Sequence, residues 1–447
     1  MVSQYTDTDH IVIRGCEVDG VHTDCRLRSG RVAELGPSLS VGDAWVIDAQ
    51  GGALLPGLHD HHMHLRAAAA ARSSVDLSAY ARLQEVSEAT PHGSGWLRLV
   101  GFDDVLHGAL DRERLDRAFG ERPVRVQHVS GKLWVFNSAA LAALPTAPVD
   151  VRLDVELGHL WRGDGWLGQA LPHDGVAVHD YCEQLLRFGV TGVSDASFTN
   201  SQADEGWAES LPIDTYLLGD ESVSEGPLKV MLDEDQLPEL DGLIARIQCA
   251  HGRDRAVAFH CVTHIELVYA LSALAAAGVS GADRIEHGAI VFDADVERML
   301  ALGVTVVTQP GFISDRGDKY QARLAAGELA VLYRYQSLLE LGVPVICSSD
   351  APYGPVSPWL VADAAVRRVA PGGQVMGARE RVSPDTAMHG YLTVPDDPAG
   401  ARRTVAPGLR SLCLLDSGWA DACADFSQVT VTHTVHDAKC YVWSDAD

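Results

Sequence analysis

Residues 337–352, SLLELGVPVICSSDAP, hold one complete unit of the fold: an apolar helical run, Gly342 as its stop, a β-rich run through Cys347, and a polar tip at Ser348, Ser349 and Asp350. The same phrase recurs as EQLLRFGVTGVSDAS (183–197), ALAAAGVSGADRIEHGA (273–289) and VERMLALGVTVVTQPG (296–311). Helix, glycine stop, buried strand and polar tip in repetition describe α/β units around a parallel sheet. So many units favour a closed (β/α)8 TIM barrel, although an open doubly wound sheet has the same local signature. In a barrel the C-terminal strand ends face the active site, so the candidates for chemistry stand at the tips: His62, His64, Asp195, His260, His287, Gln309 and Asp350.

Working outward, residues 11–55 show short apolar runs broken by turn residues, and 429–443, VTVTHTVHDAKCYVW, alternates apolar with polar residues, His433 and His436 among the polar or outward ones. Both ends are expected to form one small β-sandwich, residues 1–55 with 401–447, around a catalytic barrel at 56–400 that carries an insertion near 75–170. A chain of 447 residues exceeds one compact core, which fits a large domain beside a smaller one.

The hydrophobic share of 47% and charged share of 21% are those of an ordinary globular protein. The net charge of −26 repels nucleic-acid phosphates and anionic membranes, which removes both as partners and keeps the chain soluble. Nine cysteines without a CxxC pair read as reduced thiols, and the N-terminus shows no basic and apolar export signal. With no apolar run of about 18 residues, a cytoplasmic protein is expected.

LLPGLHDHHMHL (54–65) is the strongest chemical signal. On a strand, residues two apart share a face, so His62 and His64 point together, Asp60 with them, while His59 and His61 point opposite. Two neutral imidazoles side by side suit a divalent ion; a histidine-rich surface loop is the other reading. His260 and His287 alone would be buried histidines bonded to backbone, yet with His62 and His64 they make four imidazoles around one or two metals. Asp350 is either a ligand and proton acceptor beside a metal or the N-cap of a following helix.

These residues resemble the amidohydrolase superfamily, in its amidohydrolase family 3 (YtcJ-like) branch. PGLHDHHMHL is similar to that family's metal-binding entry, and WLRLVGFDD, RPVRVQHVSGKLWVFNSAAL, GVTGVSDAS, VTQP, SSDAPYGPVSPW and SPDTAMHGYLTV follow in family order. The resemblance implies metal ligands at His62, His64, His260 and His287, with Asp350 as ligand and general base. It also implies Lys229, in GPLKVMLDE, as a ligand once carboxylated; an unmodified lysine paired with a carboxylate is equally compatible. The chain departs from the family at Lys132, where histidine is usual, and at Thr263-His264, where Gly-Asp is usual. Lys132, Trp134, His264 and Gln309 are therefore candidate substrate contacts, Lys132 being otherwise a solvent-facing lysine and His264 a helix-start residue. Trp96, Trp161, Trp166 and Trp359 read as core or wall, not as platforms for bases.

The expected function is metal-dependent hydrolysis of a C–N bond in a small amide, cyclic amide or peptide-like substrate, with zinc as the expected ion. The same site run backwards would be a cyclodehydratase, and related chemistry a decarboxylase or isomerase. A non-enzymatic binding protein is the remaining rival, and a homo-oligomer is compatible with all of these.

Overall fold

The computed structural model describes residues 5–7, 10–72, 74–80, 82–90, 95–171 and 178–443, in two compact units, 1–65 with 179–447 and 66–178. In the larger unit the recurring phrase produces parallel strands: β1 (Leu58–Met63), β2 (Val190–Asp195), β3 (Asp214–Leu217), β4 (Leu228–Met231), β5 (Val257–Cys261), β6 (Arg284–His287), β7 (Thr305–Thr308) and β8 (Val345–Cys347). They lie in two parallel sheets, β3-β2-β1 and β4-β5-β6-β7-β8. Past β3, Gly219 bridges in parallel to Leu228 of β4. Past β8, the Asp350 amide donates to the His62 carbonyl (2.8 Å) and the His64 amide to the Ala351 carbonyl (2.8 Å). The expected α/β class is thus present, with backbone contacts at both gaps between the sheets.

Helices alternate with these strands for legible reasons. Helix His264–Ala277 opens on a capping box in which the Glu266 amide donates to Thr263 Oγ1 (3.3 Å) and the Thr263 amide to Glu266 Oε2 (2.9 Å). Helix Asp293–Leu302 ends on Gly303 at φ +64°, a left-handed stop that costs glycine little. The strands between are buried on both faces, as parallel strands covered by helices must be.

In the same unit, a five-stranded sheet pairs residues 5–7, 439–442, 431–436, 411–415 and 54–56, and a four-stranded sheet pairs 31–36, 21–28, 10–18 and 45–48. Ile13, Leu27, Leu54, Leu412, Val435 and Cys440 share one core between them, each large aliphatic contributing roughly 1.5–3 kcal/mol by burial. One expectation is corrected here. His436 does not face outward: it is buried, its Nδ1 is 2.9 Å from Ser411 Oγ, and Asp214 and Asp437 stand beside it. Alternation fails at this position because both faces of the strand are covered.

The unit 66–178 is built on a six-stranded sheet. Its inner strands bury Leu97, Leu99, Val124, Val126, Leu133 and Val135 with Val86 and Leu115 of two helices.

Gly57 joins the strand Leu54–Pro56 to β1. A Cβ there would lie 2.3 Å from Thr191 Oγ1 and 2.9 Å from Ser411 Cβ. Gly57→Ala is expected to destabilise the protein by about 1–3 kcal/mol through overpacking, read as a lower melting temperature. An unchanged melting temperature would contradict this close approach.

Candidate metal centre

β1 is buried along its whole length, and alternation divides its histidines. On one side the His59 ring meets Ser194 Oγ (2.9 Å), and His61 Nε2 donates toward the Gly390 carbonyl (3.0 Å). On the other side stand Asp60 and His62, with His64 just past the strand. Asp60 Oδ1 accepts the amides of His62 (3.1 Å) and Ser349 (3.3 Å), tying the tip of β1 to that of β8. Burial raises the Asp60 carboxyl to about 6, partly offset by these bonds.

The protons on the two most buried imidazoles are determined by their neighbours. His62 Nδ1 bonds Glu286, whose carboxylate also accepts from Arg284 Nε (2.8 Å). Burial works to raise the Glu286 carboxyl, but Arg284, Lys229 and His62 outweigh it and hold it well below its usual range. An ionised carboxylate only accepts, so His62 Nδ1 carries the proton and its Nε2 is a free lone pair. Burial, with the charge of Lys229, pushes His62 down to about 3, so the ring is neutral.

His287 follows the same logic through Gln309. Gln309 Nε2 donates to the Val307 carbonyl (3.0 Å) and Ser348 Oγ (3.0 Å), which turns Oε1 toward His287 Nδ1 at 2.7 Å. His287 therefore donates from Nδ1 and presents the Nε2 lone pair, which lies 2.9 Å from His260 Nδ1. Burial lowers both rings, leaving them neutral. His64 is held by Ser197 Oγ (3.1 Å).

Asp350 stands among them. Oδ1 is 3.5 Å from His62 Nε2 and 3.2 Å from His64 Nε2, and Oδ2 is 3.8 Å from His287 Nδ1. Burial acts to raise its carboxyl, but the imidazoles of His62, His64 and His287 dominate and hold it below the usual range. Both His287 (φ +69°) and Asp350 (φ +52°) adopt left-handed backbone, a strained conformation for side chains of this kind and one concentrated at functional sites.

Donor atoms of His62, His287 and Asp350 all lie within 4.8 Å of one another, a spacing one divalent ion can span. Two further observations fit such an ion. Asp350 Oδ1 and Lys229 Nζ are buried without a hydrogen-bond partner, and the imidazole donor set is neutral and oriented. Burial lowers the Lys229 ammonium, favouring the free amine.

The other expected residues are placed as follows. Asp195 accepts the amides of Leu65 (3.2 Å) and Ser197 (3.0 Å), so it shapes the loop that carries the partner of His64. Gln309 has its polar atoms committed to His287, Val307 and Ser348. His264 is the first residue of its helix, and its Nε2 lies 3.0 Å from Asp295 Oδ2. Trp359 donates to the Phe188 carbonyl (3.0 Å) and packs on Phe426. In the unit 66–178, Lys132 lies exposed between two strands, and Trp134 is buried, donating to Asp164 (2.8 Å) under the guanidiniums of Arg98 and Arg125. Trp96 and Trp166 pack with Trp134, whereas Trp161 is exposed.

Sequence reasoning missed Glu286, Arg284 and Ser197. The available signal was DRIEH, a strand stretch in which only Ile285 is apolar. Glu286→Gln removes the anion that fixes the His62 tautomer. It is expected to weaken divalent-ion affinity by about 10–100-fold in a chelator competition titration, with secondary structure retained by circular dichroism. Unchanged affinity would remove Glu286 from the orienting role.

The amidohydrolase family profile matches residues 45–395. The N-substituted formamide deformylase of Arthrobacter pascens is 26% identical over 464 aligned residues, covering 83% of this chain and 85% of that protein. Among solved structures, an uncharacterized metal-dependent hydrolase from Pyrococcus horikoshii OT3 superposes with a TM-score of 0.72 at 20% identity, covering 91% of this chain and 97% of the other. One from Pyrococcus furiosus gives 0.69 at 22%, covering 91% and 99%. The chain belongs to the amidohydrolase family.

Proposed function

We propose that β1–β8 close into a (β/α)8 barrel whose C-terminal end holds one or two divalent ions, zinc foremost, and hydrolyses the C–N bond of a small N-substituted amide. The ligands in this reading are His62, His64, Lys229, His260, His287 and Asp350. The observation that carries it is the convergence of His62, His287 and Asp350 within 4.8 Å, with the His62 proton held on Glu286 and its Nε2 toward Asp350. The ends of the chain form the β-sandwich, residues 66–178 act as an insertion, and the protein works in the cytoplasm. Among the described residues no helix is long and apolar enough to cross a membrane.

A divalent ion bound there supplies Lewis acidity, polarising a carbonyl and making water acidic enough to attack near neutral pH. The chain's own residues manage the proton. Asp350, ionised and with Oδ1 between His62 and His64, takes a proton from the attacking water and delivers it to the departing nitrogen. An amide and one water thus become a carboxylic acid and an amine. Lys229 fits a bridging role if its free amine adds carbon dioxide, losing a proton to become a carbamate. Its buried, unpartnered Nζ and lowered ammonium support that state. The Arthrobacter pascens relative makes N-substituted formamides the first substrates to try.

The test combines elemental analysis of the purified protein with formate release from N-benzylformamide. About one or two equivalents of metal are expected. Asp350→Asn is expected to lower kcat by about 10²–10⁴-fold, and His62→Ala to lose metal. A protein that neither contains nor takes up metal, with both variants indistinguishable from wild type, would overturn the proposal.

A further inference from the structure

The buried arginines around the site are mostly saturated by the protein. Arg368 donates to the carbonyls of Met376 (2.8 Å), Tyr333 (2.9 Å) and Leu332 (3.0 Å). Arg334 bonds Ser337, the Val291 carbonyl and the Asp293 carboxylate, and Arg284 bonds Glu286 and the His61 carbonyl while its buried Nη1 is left without a partner. Arg316, on helix Gly311–Arg323 after β7, is different. It is half-buried, its guanidinium lies 4.4 Å over the Phe312 ring, and its one hydrogen bond, from Nη2, goes to the Tyr353 carbonyl. Among the described residues no carboxylate lies within ion-pair distance of it, and Asp315, its neighbour in sequence, acts on it through space alone.

Its neighbours connect it to the metal centre. The Tyr353 ring packs edge-on against the His64 imidazole at 5.6 Å, and the Tyr353 amide donates to the Asp350 carbonyl (2.8 Å). The buried Tyr333 phenol, 5.8 Å from Phe312 between ring centres, lies within electrostatic reach of both Arg316 and Asp350. A guanidinium laid on an aromatic face is weakly hydrated, stays charged, and keeps a planar fork of donors suited to a carboxylate.

We propose that Arg316 is an anion-binding subsite of this centre and that the substrate carries a carboxylate at the end remote from the scissile C–N bond. This rests on the hydrolase reading for the bond broken. The subsite itself is tested without turnover.

The experiment uses the metal-loaded full chain and a pair of non-hydrolysable probes, N-benzylmethanesulfonamide and its para-carboxylate, with affinities measured by calorimetry. The carboxylate probe is expected to bind wild type at least about tenfold more tightly than the neutral one. In Arg316→Met that ratio is expected to fall to about one, and in Arg316→Lys to an intermediate value, since an ammonium keeps the charge without the fork. Equal affinities in wild type, or a ratio unchanged in Arg316→Met, would overturn the subsite. Should Arg316→Met fail to fold, the wild-type ratio and Arg316→Lys decide. Turnover of N-benzylformamide and its para-carboxylate is read in parallel. No turnover of either, with the probe ratio intact, defeats the hydrolase reading and leaves the subsite standing. Turnover of both with a ratio of one does the reverse.

Discussion

Glu286 has no contact with water, and its two oxygens divide the work on which the site depends. One accepts from Arg284, which also holds the His61 carbonyl; the other accepts the His62 proton. Removing one partner of such a buried ion pair costs about 3–5 kcal/mol, a large part of the roughly 5–15 kcal/mol by which a domain is stable. The pair is retained for orientation. Without the anion, His62 could carry its proton on Nε2, and the lone pair facing Asp350 would vanish. Gln309 performs the same task for His287 with a neutral amide whose direction is enforced by Val307 and Ser348. Two imidazoles are thus pre-set by different chemistry, one electrostatic and one by hydrogen-bond accounting.

The charge balance of the interior follows from this arrangement. Glu286 and Asp350 are anionic and Arg284 is cationic, while the imidazoles are neutral. A protonated Lys229 would add a second cation beside any divalent ion. Burial of its Nζ without a partner lowers its ammonium, while the charges of Glu286 and Asp350 work to retain it. The strained backbone of His287 and Asp350 belongs to the same design: the strands could relax at their ends, but only by moving the donors apart.

The α/β class and the strand tips were readable because their signals are local and periodic. Gly189, Gly303 and Gly342 stop helices, apolar runs follow, and His62 and His64 share a face by simple alternation. The match of the family to residues 45–395 agrees with the resemblance read from PGLHDHHMHL onward. Less was legible where a residue's meaning depends on a distant partner. Arg284 and Glu286 look in DRIEH like solvated charges, and only contact with His62 on another strand gives them a role. His436 alternates as an outward residue until a second face of protein covers it. Gln309 was legible as a strand-tip polar group, but its commitment to His287 was not. His264 was legible as a helix-start residue and stands there, but its contact with Asp295 was not legible.

The centre joins parts of the chain that are far apart in sequence: 224 residues separate His62 from Glu286, and 289 separate Asp60 from Ser349. On the ribosome, the histidines of β1 emerge long before the carboxylates that orient and complete them, and non-local pairings of this kind form late. A growing chain therefore offers only loose imidazoles, with neither tautomer nor geometry imposed, and a poor trap for metal. The set of His62, His287 and Asp350 is complete only once the strand leading to Asp350 has been made and docked.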